Sequence, residues 1–251
     1  MKIRPLHPHA ALLLEEDNGR RYVAVSDLHI GLESELGAKG ITVRSSLMGE
    51  MLDELLSLVK LQDANGLILL GDIKNTIGSI SRQEWDDVPT FFNELSAGAD
   101  VYLVPGNHDG NIGHLVPDSV NVISSKGMVI RDTLFLHGHS MPSDTRSHAR
   151  RIVMGHLHPV FLKKGSVLNG ERVWLYLQVR KESLFAESGT LDVVVVPSFN
   201  RYLYTEERKY NKRSTSPIMS RIVESNAIEK CMVVRLDGSI VGDMSELPSV
   251  L

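Results

Sequence analysis

Cysteine is almost missing from this sequence: Cys231 is the only one in 251 residues. An internal disulfide is therefore excluded. A lone thiol with no activating neighbours reads as a small buried hydrophobe, in keeping with a reducing compartment. Long apolar runs are missing too. Val193 to Val196 is typical of them, against the ~20 residues that a membrane-spanning helix needs. The apolar stretch from Ala10 to Leu14 meets Glu15, Glu16 and Asp17 at once, too soon for a secretory signal core. The cytoplasm is the expected setting, with no membrane partner.

Charge of one sign does not dominate either. The 27 basic and 31 acidic residues give a formal charge of −4, so nucleic acid would have to be held by a local basic patch. No stretch rich in Pro, Gly or Ser, no repeat and no low-complexity tract divides the chain. A single domain over residues 1–251 is expected, with 205–226 as its most loop-like stretch and a candidate mobile loop. What is present suffices for a packed core, since 42% of the residues are apolar and the length is ample.

The first half alternates strand and helix. Residues 11–15 and 22–26 read as strands joined by a tight Asp17-Asn18-Gly19 turn. Leu47, Met48, Met51, Leu52, Leu55, Leu56 and Val59 recur at steps of three and four, which predicts a helix over 45–60 with one buried stripe. Residues 66–70 and 101–104 read as strands covered on both faces. Residues 83–95 are helical in pattern, with Pro89 expected to bend or break them. Strands spaced by such helices make a largely parallel sheet. After about Asn121 short β-like runs dominate, at 128–130, 133–136, 152–154, 173–177, 193–196 and 232–236. A second sheet packed on the first is the simplest arrangement.

Five short fragments carry the chemistry. Asp27-Leu28-His29, Gly71-Asp72, Gly106-Asn107-His108-Asp109 and Gly155-His156-Leu157-His158 each follow or abut an expected strand, and His137-Gly138-His139 follows the strand at 133–136. Sites in open α/β sheets form beyond the carboxyl ends of strands, so these fragments are expected to converge. The intervals of 45 residues from 27 to 72 and 35 from 72 to 107 each have room for one strand–helix crossover. Taken singly, a histidine is usually a packed or surface residue, Gly-Asp a turn, and Asn-His-Asp a capped loop. Together they hold six of the ten histidines, at strand ends.

Each fragment offers something to a metal. Asp27 and His29, two residues apart, lie on one side of an extended chain and supply a carboxylate oxygen and an imidazole nitrogen. Asp72 follows a glycine that lets the backbone turn, and its carboxylate can bridge two cations. Asn107 adds a neutral oxygen, and His137, His156 and His158 add nitrogens. Two divalent ions against two carboxylates leave surplus positive charge, which suits a phosphate anion and lowers the pKa of a bridging water. Hydrolysis of phosphate esters by a metal-bridging hydroxide is the expected chemistry. Without cysteine in the set, manganese, iron or zinc all fit. His7, His9, His114 and His148 have no such company and read as ordinary surface residues.

The order D-x-H, G-D, G-N-H-D, H and G-H-x-H over residues 27–158 resembles that of the calcineurin-like metallophosphoesterase superfamily. Residues 27–40, DLHIGLESELGAKG, with SRQEWDDVP and VPGNHDGNI, are similar to the ICC-like phosphoesterases, a largely archaeal subgroup related to the SbcD-type repair nuclease. The tail, through Val173-Trp174-Leu175 and 196–200, is similar to that subgroup as well. The resemblance implies an α/β fold, a four-layer αββα sandwich of two mixed sheets flanked by helices. It implies that Asp27, His29 and His158 hold one metal, that Asn107, His137 and His156 hold a second, and that Asp72 bridges them, with manganese as the expected ion. His108 would act as general acid or stabilise the transition state, oriented by Asp109.

The sequence departs from the family pattern in places. In Ile73-Lys74-Asn75, Asn75 fits, whereas Lys74 puts a cation near the metals, there to contact substrate phosphate or to reach solvent. His139 stands two residues from His137, and the reverse assignment is open. At this length the repair nuclease's long C-terminal capping region is not expected, which weighs against a full break-repair role.

The expected substrate is a phosphodiester, with a DNA or RNA nuclease as the narrower version. Its basic contacts would come from Arg208, Lys209, Lys212 and Arg213 around Tyr210, or from Arg146, Arg150 and Arg151. Both groups read equally as solvated surface. The alternatives are a phosphomonoesterase acting on proteins or nucleotides, and a non-catalytic scaffold that keeps the fold. A homodimer is an open alternative to a monomer.

Overall fold

The computed structural model describes residues 1–42, 45–203 and 216–251. The basic group at 208–213 lies outside them. In the first half, β1 (Lys2–Pro5), β2 (Leu12–Glu15), β3 (Arg21–Val25), β4 (Gly66–Leu69), β5 (Asp100–Leu103) and β6 (Val120–Val122) form a sheet in chain order. β1, β2 and β3 pair antiparallel, and the Asp17-Asn18-Gly19 turn closes the second hairpin with Gly19 at φ 85°. From β3 to β6 the pairing is parallel, as the intervening helices require.

Those helices are α1 (Leu32–Ala38), α2 (Leu47–Leu61) and α3 (Arg82–Ser96). α2 begins where Ser46 accepts a hydrogen bond from the Gly49 amide, and it buries Met51, Leu55, Leu58 and Val59. α3 begins in a capping box between Ser81 and Glu84. Pro89 does not break α3. Val88, Phe91, Phe92 and Leu95 all sit in the core on the outer face of the first sheet. At roughly 1.5–3 kcal/mol for each fully buried large apolar side chain, that contact outweighs the local cost of a proline.

The second sheet runs β14 (Ile240–Gly242), β13 (Ile228–Arg235), β11 (Glu171–Arg180), β12 (Thr190–Val195), β9 (Arg151–Met154), β8 (Thr133–Leu136) and β7 (Met128–Ile130), with β10 (Val160–Phe161) pairing β11. Its β12–β9 and β9–β8 pairs are parallel and its other pairs antiparallel. Its outer face is covered by α4 (Pro217–Glu224), which buries Ile218, Met219 and Ile222. α4 corrects the expectation of a loop at 217–224, while 205–215 lies outside the described residues. Pro217 opens the helix, Ser216 caps it, and apolar residues at steps of one, three and four supply the face.

Between the sheets, Leu12, Leu14, Ala24, Ile68, Leu70 and Val104 meet Phe135, Val153, Trp174, Val194, Val196 and Val234. The layers are therefore helix, sheet, sheet, helix, the expected αββα order. Strands β3, β4 and β5 of one sheet, and β8 and β9 of the other, end at the same rim. The Leu70 carbonyl after β4 lies 2.7 Å from His137 Nδ1 after β8.

Candidate metal centre

The rim is built from unusual backbone. Asp27 (φ 61°), His29 (φ 47°), Asp72 (φ 53°), His156 (φ 69°) and His158 (φ 41°) all lie in the left-handed region. Such residues cost about 1–2 kcal/mol each, and Asp, Asn and His tolerate the region best among non-glycines. Asp27 and His29 are thus not brought together by strand alternation, as expected for an extended chain, but by a left-handed turn at each. That turn is pinned to its neighbour: the amides of Asp27, Leu28, His29 and Ile30 donate to the carbonyls of Gly71, Asp72, Asp72 and Ile73 at 2.7–3.1 Å. From beneath, Asn200 Nδ2 donates to the Leu28 carbonyl at 2.8 Å.

Two glycines make the close approach feasible. A Cβ on Gly155 would stand 1.7 Å from Ser26 Oγ and 2.6 Å from Asp27 Oδ2, and one on Gly106 would stand 2.2 Å from Asp72 Oδ1. Gly155 lets the loop after β9 touch the first sheet through bare backbone, and Gly106 does the same between the loops after β4 and β5.

The side chains form two groups. One donor atom each from Asp27, His29, Asp72 and His158 lies within 4.8 Å of the others, and so does one each from Asp72, His137 and His156. Asp72 belongs to both. Asn107 Oδ1 joins the second group at 3.2 Å from His137 Nε2.

Hydrogen bonds at the rear of the rings set which nitrogen faces inward. Asn75 Nδ2 donates to Glu35 Oε2 at 2.9 Å, which turns its Oδ1 toward His29 Nδ1 at 3.2 Å. His29 thus carries its proton on Nδ1. Its Nε2 is buried with no hydrogen-bond partner, 3.6 Å from Asp72 Oδ2. His137 is arranged likewise: Nδ1 donates to the Leu70 carbonyl, while Nε2 lies 3.2 Å from Asp72 Oδ2 and 3.1 Å from His156 Nδ1. His158 Nε2 is 3.1 Å from Asp27 Oδ1, and the His156 amide donates to Asp27 Oδ2 at 3.1 Å.

The electrostatics are set by two buried carboxylates among the imidazoles. Burial drives His29 down to about 3, so it stays neutral with its lone pair inward. Burial resists charge on His137 as well, but the Asp72 carboxylate overrides it and lifts the ring to about 9. Burial opposes ionisation of Asp27 too, yet His158 and His137 hold it down to about 2. Asp72 is held well below the usual carboxylate range by His137, His29 and His108, against its own burial. Buried oxygens and inward nitrogen lone pairs this close, with an orphaned His29 Nε2 among them, fit divalent cations.

Around this set the structure corrects two expectations. Asp109 does not orient the His108 ring. Its carboxylate accepts from the amides of Ile73 (2.8 Å), Lys74 (3.4 Å) and Gly106 (2.7 Å), so it ties the Asp72 turn to the Asn107 loop. The His108 ring is held instead by the Asn75 carbonyl at 2.5 Å from Nδ1, and its amide donates to Asp72 Oδ1 at 2.8 Å. Lys74 neither reaches solvent nor faces the cleft: it is fully buried, with Nζ on the carbonyls of Thr76 and Ser79. Burial lowers its pKa. Of the other basic group, Arg151 opens β9 at the end away from the rim, 3.9 Å from Asp192, with Arg150 just before it, and Arg146 donates to the Gly127 carbonyl at 3.1 Å.

Of the two competing histidines, the structure brings His137 to Asp72 and His156. His139 lies beside them, its ring 5.4 Å from that of His137 and 6.2 Å from that of His156. Sequence reasoning missed Glu35 and Glu84. Glu84 is fully buried and accepts from the amides of Asn75 (2.9 Å), Thr76 (2.8 Å) and Ser81 (2.6 Å), so it shapes the loop that carries Asn75. Its capping-box spacing from Ser81 was the available signal.

A two-sheet sandwich with carboxylate, amide and imidazole donors gathered at one rim defines a metal-dependent hydrolase class. The chain belongs to the calcineurin-like phosphoesterase family, whose profile matches residues 20–196. The family uses divalent metals and acts on phosphate esters, so the donor set is a candidate binuclear ligand cluster of a phosphoric ester hydrolase. No curated protein matches the chain. Among solved structures, the nuclease MPE of Pseudomonas putida is similar at 19% identity and a TM-score of 0.54, over 94% of this chain and 98% of that one. That likeness shows a shared fold. YfcE, a phosphoesterase from E. coli, matches at 14% identity and a TM-score of 0.39 over 90% of this chain and 98% of its own. The protein AQ665 of Aquifex aeolicus matches at 17% and 0.41, over 58% and 81%. Among the described residues no helix is long and apolar enough to cross a membrane.

Proposed function

We propose that this chain works as one dimetal phosphodiesterase unit of the ICC-like, SbcD-related type. In this reading Asp27, His29, His158 and Asp72 hold one divalent cation, and Asn107, His137, His156 and Asp72 hold the other, manganese by expectation. The observation that carries it is Asp72, whose buried carboxylate is common to both groups of donors within 4.8 Å. Bound there, the ions would supply a Lewis acid for the phosphoryl oxygens and a nucleophilic hydroxide at neutral pH.

The protein's own part is positioning and proton handling. The carbonyls of Leu70 and the amide of Asn75 fix the inward nitrogens of His137 and His29. His108 is partly exposed, with Nδ1 taken by the Asn75 carbonyl and Nε2 4.0 Å from Asp72 Oδ2. When doubly protonated, it donates from Nε2 to the leaving oxygen. Asp109 keeps the loop under His108 and Asn107 in register with Asp72. No donor of the set is missing, which speaks against a scaffold that has lost its metals. A nuclease shares the fold, and a nucleic acid is the natural large diester. The absence of disulfide chemistry agrees with a cytoplasmic setting.

The test compares bis(p-nitrophenyl) phosphate with p-nitrophenyl phosphate on metal-stripped protein resupplied with manganese. The diester is expected to turn over faster, with full dependence on added metal. Faster turnover of the monoester would replace this reading with a phosphomonoesterase.

A further inference from the structure

Beside the second group of donors stands a histidine that the proposed chemistry does not use. His139 stands three residues past the end of β8, and its ring lies 5.4 Å from that of His137 and 6.2 Å from that of His156. The ring is partly exposed, while its Nδ1 is closed off from water and has no hydrogen-bond partner. A buried, unsatisfied N–H is dearer than a buried lone pair on a neutral ring, since a donor denied an acceptor loses the whole of its hydration. The neutral tautomer with its proton on Nε2 is thus favoured, and the Nε2 edge is the one that can meet a ligand.

The surroundings agree in sign. Ser140 Oγ donates to the Ser125 carbonyl at 3.4 Å and Lys126 Nζ to the Met141 carbonyl at 3.3 Å, so the loop before β7 is fastened across the residues that follow His139. Lys126 is exposed there, and its bond to the Met141 carbonyl holds its ammonium beside the segment that follows His139. A hydrogen-bond donor and a flexible cation thus stand together beside the second donor group. Such a pair selects an anion.

We propose that His139, supported by Lys126, is a substrate-contacting residue that binds a non-bridging phosphate oxygen of the ester on the side of the second donor group. The inference rests on the phosphoesterase reading for its substrate class. It assigns His139 a role distinct from the metal ligand that its spacing also allows: it grips the anion while His137 grips the cation.

The test uses the full chain loaded with manganese, with inorganic phosphate as the probe, measured by calorimetry and as an inhibitor of diester hydrolysis. In His139→Ala, manganese content should stay at the wild-type level while phosphate binding weakens about tenfold, as for loss of a charge-assisted hydrogen bond. The diester KM should rise by a similar factor with kcat within about twofold. His139→Gln, which keeps an N–H donor, should recover part of the loss, and Lys126→Met should weaken phosphate binding mainly at low salt. Unchanged phosphate binding and KM in His139→Ala would overturn the proposal. So would loss of manganese in both His139 variants, which would make the residue a ligand. If phosphate binding depends on His139 in a protein that hydrolyses neither ester, the contact stands and the phosphoesterase reading falls.

Discussion

Asn75→Ala isolates how far the site depends on groups that never touch a metal. The Asn75 amide is held by Glu35 at 2.9 Å and in turn holds His29 Nδ1 at 3.2 Å. Truncation removes the acceptor behind the ring. His29 can then rotate or shift its proton to Nε2, and either change withdraws the inward lone pair. Loss of such a supporting hydrogen bond typically weakens metal affinity 10–100-fold, roughly 1.4–2.7 kcal/mol. The upper half of that range is expected, because His29 is 3% exposed and the bond behind its ring is buried. Glu35→Ala should cost less, about two- to fivefold, since Asn75 keeps its oxygen but loses its orientation lock. The assay is calorimetric titration of metal-free protein with manganese, paired with kcat at saturating metal. The backbone carbonyl that holds His108 survives the substitution, so kcat should recover once metal is in excess. Wild-type manganese affinity in Asn75→Ala would refute the reasoning. A lowered kcat at saturating metal, with affinity unchanged, would move the role of Asn75 from His29 to His108.

Other outcomes follow from the same geometry. Gly155→Ala places a Cβ 1.7 Å from Ser26 Oγ and should destabilise the protein by at least about 1–3 kcal/mol in a denaturant melt, with metal content falling in parallel. Asp72→Asn removes the charge shared by both donor groups, so elemental analysis should find both ions lost and not one. Trp174→Ala empties the centre of the inter-sheet layer and should cost about 3–5 kcal/mol; a melt unchanged within error would contradict the packing described. Burial, aided by Asp243, pushes the Cys231 thiol up to about 11. The neutral thiol is favoured by folding, so its contribution to stability is fully present below the ordinary value near 9 and is lost as pH rises through 11. At pH 8 the thiolate fraction is on the order of one in a thousand, and a disulfide reagent should label native protein far more slowly than urea-unfolded protein.

Much of this was legible in the sequence because the chemistry sits on short fragments at strand ends, where spacing alone orders them along a rim. The sheets were legible for the same reason that they are stable, since continuous apolar runs such as 66–70 have no other place to go. α4 was not. Its apolar positions are few and stand beside a long polar tract, so composition over 205–226 hid a helix whose face becomes visible only against the second sheet. Lys74 misled because a cation next to a metal motif suggests an anion, whereas two backbone carbonyls satisfy it inside the loop. The left-handed turns at Asp27 and His29 were equally hidden. Aspartate and histidine do not advertise positive φ as glycine does, and only the crossing of two loops enforces it. Asp109 was placed in the right loop but with the wrong partner, since a carboxylate on the residue after a histidine can serve the backbone as readily as the ring.

The contact between Asp27 and the His156 amide joins residues 129 positions apart. During synthesis, the first sheet and its carboxylates emerge well before the loop that must close over them. A ribosome-bound chain that stops short of Gly155 would carry Asp27, His29, Asp72, Asn107 and His137 but lack His156 and His158, so neither donor group would be complete. Closing so distant a contact is slow, which makes assembly of the centre a late event in folding. Completion of either donor group then marks the moment at which the two halves of the chain have found each other, and an ion that needs the full set would report finished folding as much as serve as a reagent.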